Sequence, residues 1–133
     1  MVGNSSSSLF SAGFLNSSNY PDYYPNNLDK TETIQVESGK ILRLEFTEFA
    51  VYGHPAFCET DYVKITDGDG TTLMDKSCGS SSGDPSDSNY FQPSIITTRS
   101  NRVKIFFSTD GDHTNLGWSL FWSAVTPGLK TLI

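Results

Sequence analysis

The stretch that most constrains this chain runs from Cys58 to Cys78, C-E-T-D-Y-V-K-I-T-D-G-D-G-T-T-L-M-D-K-S-C, and it holds the only two cysteines. Tyr62, Val63 and Ile65 form a compact apolar strand core. A doubled Asp-Gly turn follows at Asp67-Gly68-Asp69-Gly70, and Leu73 and Met74 supply a second apolar pair. A strand, an Asp-Gly turn and a returning strand bring their outer ends side by side, which is the geometry a disulfide requires. Free thiols are the alternative at Cys58 and Cys78. An even cysteine count in a turn-rich acidic β-domain favours the bridge and a secreted context.

A chain of 133 residues that is 36% hydrophobic and 18% charged has the length and composition of one globular domain with a real core. Eleven glycines and six prolines among many Ser, Thr, Asn and Asp residues imply frequent turns and favour an all-β class. Period-2 patterns agree. Ile34 and Val36, then Leu42, Leu44 and Phe46, then Val103, Ile105 and Phe107, and finally Trp118, Leu120, Trp122 and Ala124 each alternate with outward-facing neighbours. Ile95 and Ile96 mark another strand, while residues 50–57 and 79–89 read as a loop and a polar connection. Pro21, Pro25 and the asparagines around them forbid a central strand at 19–27, where tyrosine rings can anchor the loop by packing inward. No helix of convincing length and no internal repeat is evident. About eight short strands predict a two-sheet sandwich over residues 10–125, between a polar tail at 1–9 and a tail or linker at 126–133.

The formal net charge is −6, with no Lys/Arg cluster. Such a surface repels phosphate backbones and anionic membranes, which argues against nucleic acid as a partner. No apolar run approaches the roughly 18 residues of a membrane span, so membrane insertion is not expected. The N-terminus shows no basic region followed by an apolar stretch. Sequons at Asn4-Ser5-Ser6 and Asn16-Ser17-Ser18 agree with an extracellular location.

Catalytic readings fare poorly. Gly79-Ser80-Ser81-Ser82-Gly83 matches G-x-S-x-G, but that elbow needs a buried strand before the serine and a helix after it, and Asp84-Pro85 follows instead. His54 and His113 are the only histidines, and bridged cysteines leave no thiol nucleophile. An enzyme is not expected. Two acidic turns remain. Asp67–Gly70 reads as a hairpin turn, whereas Asp110-Gly111-Asp112, followed by His113, Thr114 and Asn115, is compatible with a cation such as Ca²⁺. Neither completes an EF-hand loop.

In order along the chain stand N-Y-P at 19–21, Y-P-N-N at 24–27, L-R-L-E-F-T-E-F at 42–49, C-x-x-D-Y-V-x-I at 58–65, Cys78-Gly79, F-S-T-D at 107–110 and Gly117-Trp118. Over residues 10–125 this series resembles the CUB domain, an extracellular module. The resemblance implies a jelly-roll β-sandwich of two antiparallel sheets. It departs from the family in two places. CUB domains commonly carry a second disulfide, yet Lys30 stands where its later cysteine would be and no N-terminal cysteine exists. Many also build a calcium site from a Glu after the F-x-F stretch, the Asp of C-x-x-D-Y and the Asp of F-x-S-D. Asp61 and Asp110 match the two aspartates, but the Glu position is Tyr52, whose phenol is neutral at pH 7.

The resemblance therefore implies a non-catalytic recognition module for an extracellular protein partner, with Ca²⁺ held by Asp61, Asp110 and Asp112, and with Glu48 or Glu59 as substitutes for the missing Glu. The binding surface expected from these loops is 50–61 with 110–116, where Tyr52, His54, Phe57 and His113 offer aromatic stacking and hydrogen bonds. Two other readings stand beside it. One is a calcium-independent glycan binder using tyrosines, since Trp118 and Trp122 lie on the core face. The other is an accessory domain of a larger secreted protease.

Overall fold

The computed structural model describes residues 11–128. The expected tail at 1–9, the sequon at Asn4 and the last five residues lie outside that range. Alternating apolar side chains produce nine strands: β1 (Ala12–Asn16), β2 (Asp29–Gln35), β3 (Ile41–Val51), β4 (Tyr62–Asp67), β5 (Thr72–Ser77), β6 (Gly79–Ser80), β7 (Ile96–Thr97), β8 (Arg102–Ser108) and β9 (Gly117–Val125). Among the described residues there is no helix.

The strands form two antiparallel sheets, one ordered β1-β9-β3-β6 with β7 also on β3, the other β2-β8-β4-β5. This is the jelly-roll sandwich expected from the sequence. Leu42, Leu44 and Phe46 of β3 and Trp118, Leu120 and Trp122 of β9 point from one sheet into the core. Val63 and Ile65 of β4, Val103, Ile105 and Phe107 of β8, and Ile34 of β2 point from the other. Both tryptophans are thus buried, in keeping with the period-2 pattern. Trp118 meets Phe46 from its own sheet and Phe107 from the opposite one edge-to-face, with both centroid distances 5.8 Å, tying the layers at their centre.

Three local readings of the sequence need correction. Residues 50–57 are not all loop, because β3 continues through Ala50 and Val51. A bulge between Phe46 and Glu48 shifts the inward phase by one residue, so that Phe49 and Val51 are buried after Leu42, Leu44 and Phe46. The glycine and proline at 53 and 55 mark the loop but not its start. The polar connection at 79–89 likewise begins as strand, with Gly79 and Ser80 pairing with Val51 and Ala50. Gly79 holds φ +115° there, and a Cβ on it would stand 2.9 Å from the Asn89 carbonyl oxygen, so only glycine fits the approach. Third, the strand at Ile95 and Ile96 is Ile96–Thr97, with Ile95 exposed.

The hairpin read from the Cys58–Cys78 stretch is present. Strands β4 and β5 pair antiparallel, and the Asp67–Gly70 turn closes through Gly70 N–H to Asp67 O at 2.9 Å and Asp69 Oδ1 to Thr71 N–H at 2.9 Å. Asp67 is buried, and its carboxylate accepts from the Gly68 and Arg99 amides and the Ser100 hydroxyl at 2.6–2.8 Å. Burial pushes its carboxyl up, but those three donors outweigh burial and hold it below the ordinary carboxylate range. Below this hairpin Cys58 and Cys78 are bridged, with Cα atoms 5.5 Å apart. The first strand, which has no disulfide, is held by its five-residue register with β9.

Closing a loop over 20 residues of separation constrains the unfolded chain. Reduction is therefore expected to lower stability by about 3 kcal/mol. Denaturant melts with and without reductant measure this, and coincident curves would contradict it.

Candidate functional site

Three loops meet at one end of the sandwich: 17–28, 52–61 and 109–116. Their meeting point is a carboxylate. Asp61 ends the loop that leads into β4 and is fully buried, so its charge must be met by donors. Tyr24 Oη donates to Asp61 Oδ2 at 2.7 Å, and the Asp110 amide donates to Asp61 Oδ1 at 2.8 Å. The Tyr24 hydroxyl also accepts from the Tyr52 amide at 2.9 Å. One carboxylate and one phenol therefore link all three loops. Backbone bonds reinforce them, from Tyr24 N–H to Asn115 O at 3.1 Å and from Asn27 N–H to Asp110 O at 2.7 Å. The Tyr24 ring packs edge-on against Phe107, which is why only its hydroxyl reaches the site.

The protonation states follow from burial. Burial pushes the Tyr24 phenol far above its ordinary value, against a partial pull from the Tyr52 amide, so it stays a neutral donor. Burial also raises Asp61, while the bonds from Tyr24 and Asp110 pull it part of the way back. Asp110 goes the other way, because the amides of Asp112 and His113 at 3.1 Å hold it below the carboxylate range.

The rim is built from an aromatic pair. The Tyr52 and His113 rings stack with centroids 4.1 Å apart and planes 5° from parallel. His113 Nδ1 lies 3.4 Å from Asp110 Oδ2, and Nε2 lies 3.7 Å from Asp112 Oδ2. His54 and Phe57 form a second, tilted pair at 5.3 Å. The loop thus brings Tyr52, His113, Asp110 and Asp112 together, with His54 and Phe57 beside them.

A calcium ion needs several hard oxygens converging on one point. Here both Asp61 oxygens are engaged by donors, Asp110 Oδ1 accepts two amides, and Asp112 is 83% exposed. The position of the third family carboxylate holds Tyr52, with its ring on His113. Glu48 bonds instead to the Tyr20 hydroxyl, and Glu59 is exposed. Among the described residues no group of three or more His, Cys, Asp or Glu is arranged to hold a metal. In this arrangement the carboxylates of Asp61 and Asp110 are already met by donors of the chain itself.

Sequence reasoning placed Tyr52, His113, Asp61 and Asp110 in one region but gave no sign of the stack or of the Tyr24 hydroxyl. The partners are 61 and 37 residues apart, and only the general expectation that loop tyrosines pack inward pointed towards Tyr24.

Comparison with known proteins agrees with this frame. The family described as CUB domain matches residues 5–122. Cubilin of Rattus norvegicus is 30% identical over 115 residues, which is 86% of this chain and 3% of that protein. Mannan-binding lectin serine protease 1 of Rattus norvegicus is 32% identical over 114 residues, covering 84% and 14% respectively. The chain thus spans a small fraction of the curated relatives it matches. Among solved structures, the MASP-1 CUB2 domain bound to Ca²⁺ superposes with a TM-score of 0.72 at 28% identity, over 88% of this chain and 96% of that one.

Two predictions follow from the buried link. Tyr24→Phe removes a hydroxyl on which Asp61 and the Tyr52 amide both depend, and each orphaned group costs about 1–3 kcal/mol. Chemical denaturation should show a loss at least that large; a loss under half a kcal/mol, roughly the size of a neutral surface change, would contradict it. Asp61, with its folded pKa raised, stabilises the fold below the unfolded value of about 3.9 and loses that contribution as pH rises through the folded value. The stability of wild type relative to Asp61→Asn should therefore fall as pH is raised from acid to neutral. Denaturant midpoints across that range test the sign.

Proposed function

The chain belongs to the CUB domain family, and we propose that it is a non-catalytic extracellular recognition module that binds a protein partner through the loop end at 17–28, 52–61 and 109–116. The observation that carries this reading is where the exposed large apolar side chains lie. Of the six such residues among the described ones, Tyr23, Tyr52, Phe57 and Leu116 belong to these loops, with Tyr52 40% and Phe57 68% exposed. Aromatic anchors beside polar and charged groups are the composition of interface hot spots. Asp110 and Asp112 at the rim add an acidic edge suited to a basic side chain of the partner. Support also comes from the family, whose matched relatives include cubilin and a mannan-binding lectin serine protease. The formed disulfide fits an oxidising compartment.

Calcium enters this proposal as unnecessary. The Tyr24–Asp61–Asp110 bonds and the Tyr52–His113 stack already join the loops that a metal would otherwise join. Recognition at this end is then metal-independent, unlike what the family pattern alone implied for Asp61, Asp110 and Asp112.

The test is a panel of extracellular proteins probed with the tagged domain in EDTA and in millimolar Ca²⁺. Binding should be equal in both, should fall about tenfold or more in Phe57→Ala or Tyr52→Ala, and should be unchanged in Phe14→Ala on β1. Binding lost in Phe14→Ala but kept in the loop variants would sink the surface assignment. Calorimetric Ca²⁺ binding abolished by Asp110→Ala would sink the metal-free reading.

A further inference from the structure

The sequon at Asn16-Ser17-Ser18 is preceded by an aromatic residue, so that the segment reads Phe14-Leu15-Asn16-Ser17-Ser18. Phe14 to Asn16 close β1, the strand that ends the order β1-β9-β3-β6 at one edge of its sheet. Alternate side chains of a strand share a face, so Phe14 and Asn16 stand together on the outer face, about 7 Å apart along it. Leu15 between them turns towards the core. Both outer residues are exposed, Phe14 by 61%. We propose that Asn16 carries an N-linked glycan whose first N-acetylglucosamine ring packs on Phe14.

The acceptor amide is held in a way that modification preserves. Asn16 pairs with Ser119 across the sheet, and the Ser119 hydroxyl donates to Asn16 Oδ1 at 2.6 Å. That bond occupies the carbonyl side, and Asn16 Nδ2 has no partner among the described residues. The middle residue of the sequon is Ser17 and not proline, as the acceptor pattern requires. The donor is a lipid-linked oligosaccharide diphosphate. Its sugar C1–O bond breaks, the lipid diphosphate leaves with the bonding pair, and C1 bonds to Asn16 Nδ2. One amide proton passes to a base of the transferase, with no net oxidation or reduction. The Oδ1 acceptor keeps its hydrogen bond throughout. This rests only on the extracellular part of the function proposed above, since attachment needs the secretory route but not the loop end.

Phe14 supplies the surface for the first sugar. Its ring leans on Phe121 of β9, with centroids 5.1 Å apart and planes tilted by 55°, and most of it remains in water. A pyranose presents a face of C–H bonds, whose positive hydrogens suit the negative face of an aromatic ring. A sugar tethered at Asn16 reaches that ring without the loss of freedom that a free ligand undergoes. The same glycan guards an edge. An edge strand bearing an exposed aromatic ring invites pairing with a second chain, and a bulky hydrophilic group beside it opposes that.

Secretion of the full chain from mammalian cells, with Asn4→Gln removing the other sequon, tests the attachment. Peptide mapping after peptide N-glycosidase treatment in heavy-oxygen water should place the labelled acid at position 16. An unmodified Asn16 in the secreted, folded protein would overturn the site. Packing is read on the glycoform trimmed to one N-acetylglucosamine. Its sugar C–H resonances should shift upfield through the ring current of Phe14. Its urea midpoint should exceed that of Ser18→Ala, which removes the sequon but keeps the Asn16–Ser119 bond. Both effects should fall by about half or more in Phe14→Ala. Phe14→Leu, which keeps apolar bulk without a ring, serves as the second variant if Phe14→Ala does not fold. Sugar resonances and midpoints indifferent to the folded variant would overturn the packing. So would a dimer of the glycosylated chain that Phe14→Ala dissolves, because the ring would then belong to a contact with a second copy.

Discussion

The loop end depends on one buried charge. Asp61 is withdrawn from water entirely, and such a carboxylate is tolerated only where donors replace the lost solvent. Tyr24 and the Asp110 amide supply them from opposite ends of the sequence. The penalty for leaving Asp61 unmet is larger than the net gain of either hydrogen bond, so the two loops are held by the cost of separation. The Tyr52 amide adds a second tie between Tyr24 and the loop that carries Asp61, through the accepting side of the same hydroxyl. A surface made of three irregular segments thereby acquires a fixed shape, which favours recognition because fewer degrees of freedom are lost on binding.

Much of the sandwich was legible in the sequence because a half-buried strand writes its face in every second residue. Val103, Ile105 and Phe107, and Trp118, Leu120 and Trp122, sit where alternation puts them. The Cys58–Cys78 hairpin was legible for a similar reason, since turn chemistry and strand pattern are both local. Where the structure departed, the cause was a break in the period. The bulge after Phe46 moves the apolar phase from even to odd positions, so Val51 counted as loop although it is fully core. Strand β6 was missed because two residues rich in Gly and Ser carry no alternation, and their pairing partner lies on β3.

The site was legible only residue by residue. Asp61 and Asp110 stood out through their motifs, and Tyr52 through its mismatch with the family pattern. What they do to one another depended on the fold. Nothing local to Tyr52 announces a histidine ring 4.1 Å away, and nothing near Asp61 identifies Tyr24 as its donor, because loop contacts of long sequence separation have no period to read.

The exchange at position 52 changes the physics of the loop end more than its shape. A metal holds carboxylates together by charge, over a range set by screening and with an affinity that follows pH and chelators. A stacked Tyr52–His113 pair and a buried phenol–carboxylate bond act at contact and are largely insensitive to salt. The acids at the rim, Asp110 and Asp112, lie beside the His113 ring, and Asp110 is further met by the amides of Asp112 and His113. In the proposed protein-binding role, shape and ring contact at the centre and charge at the edge set the discrimination between partners.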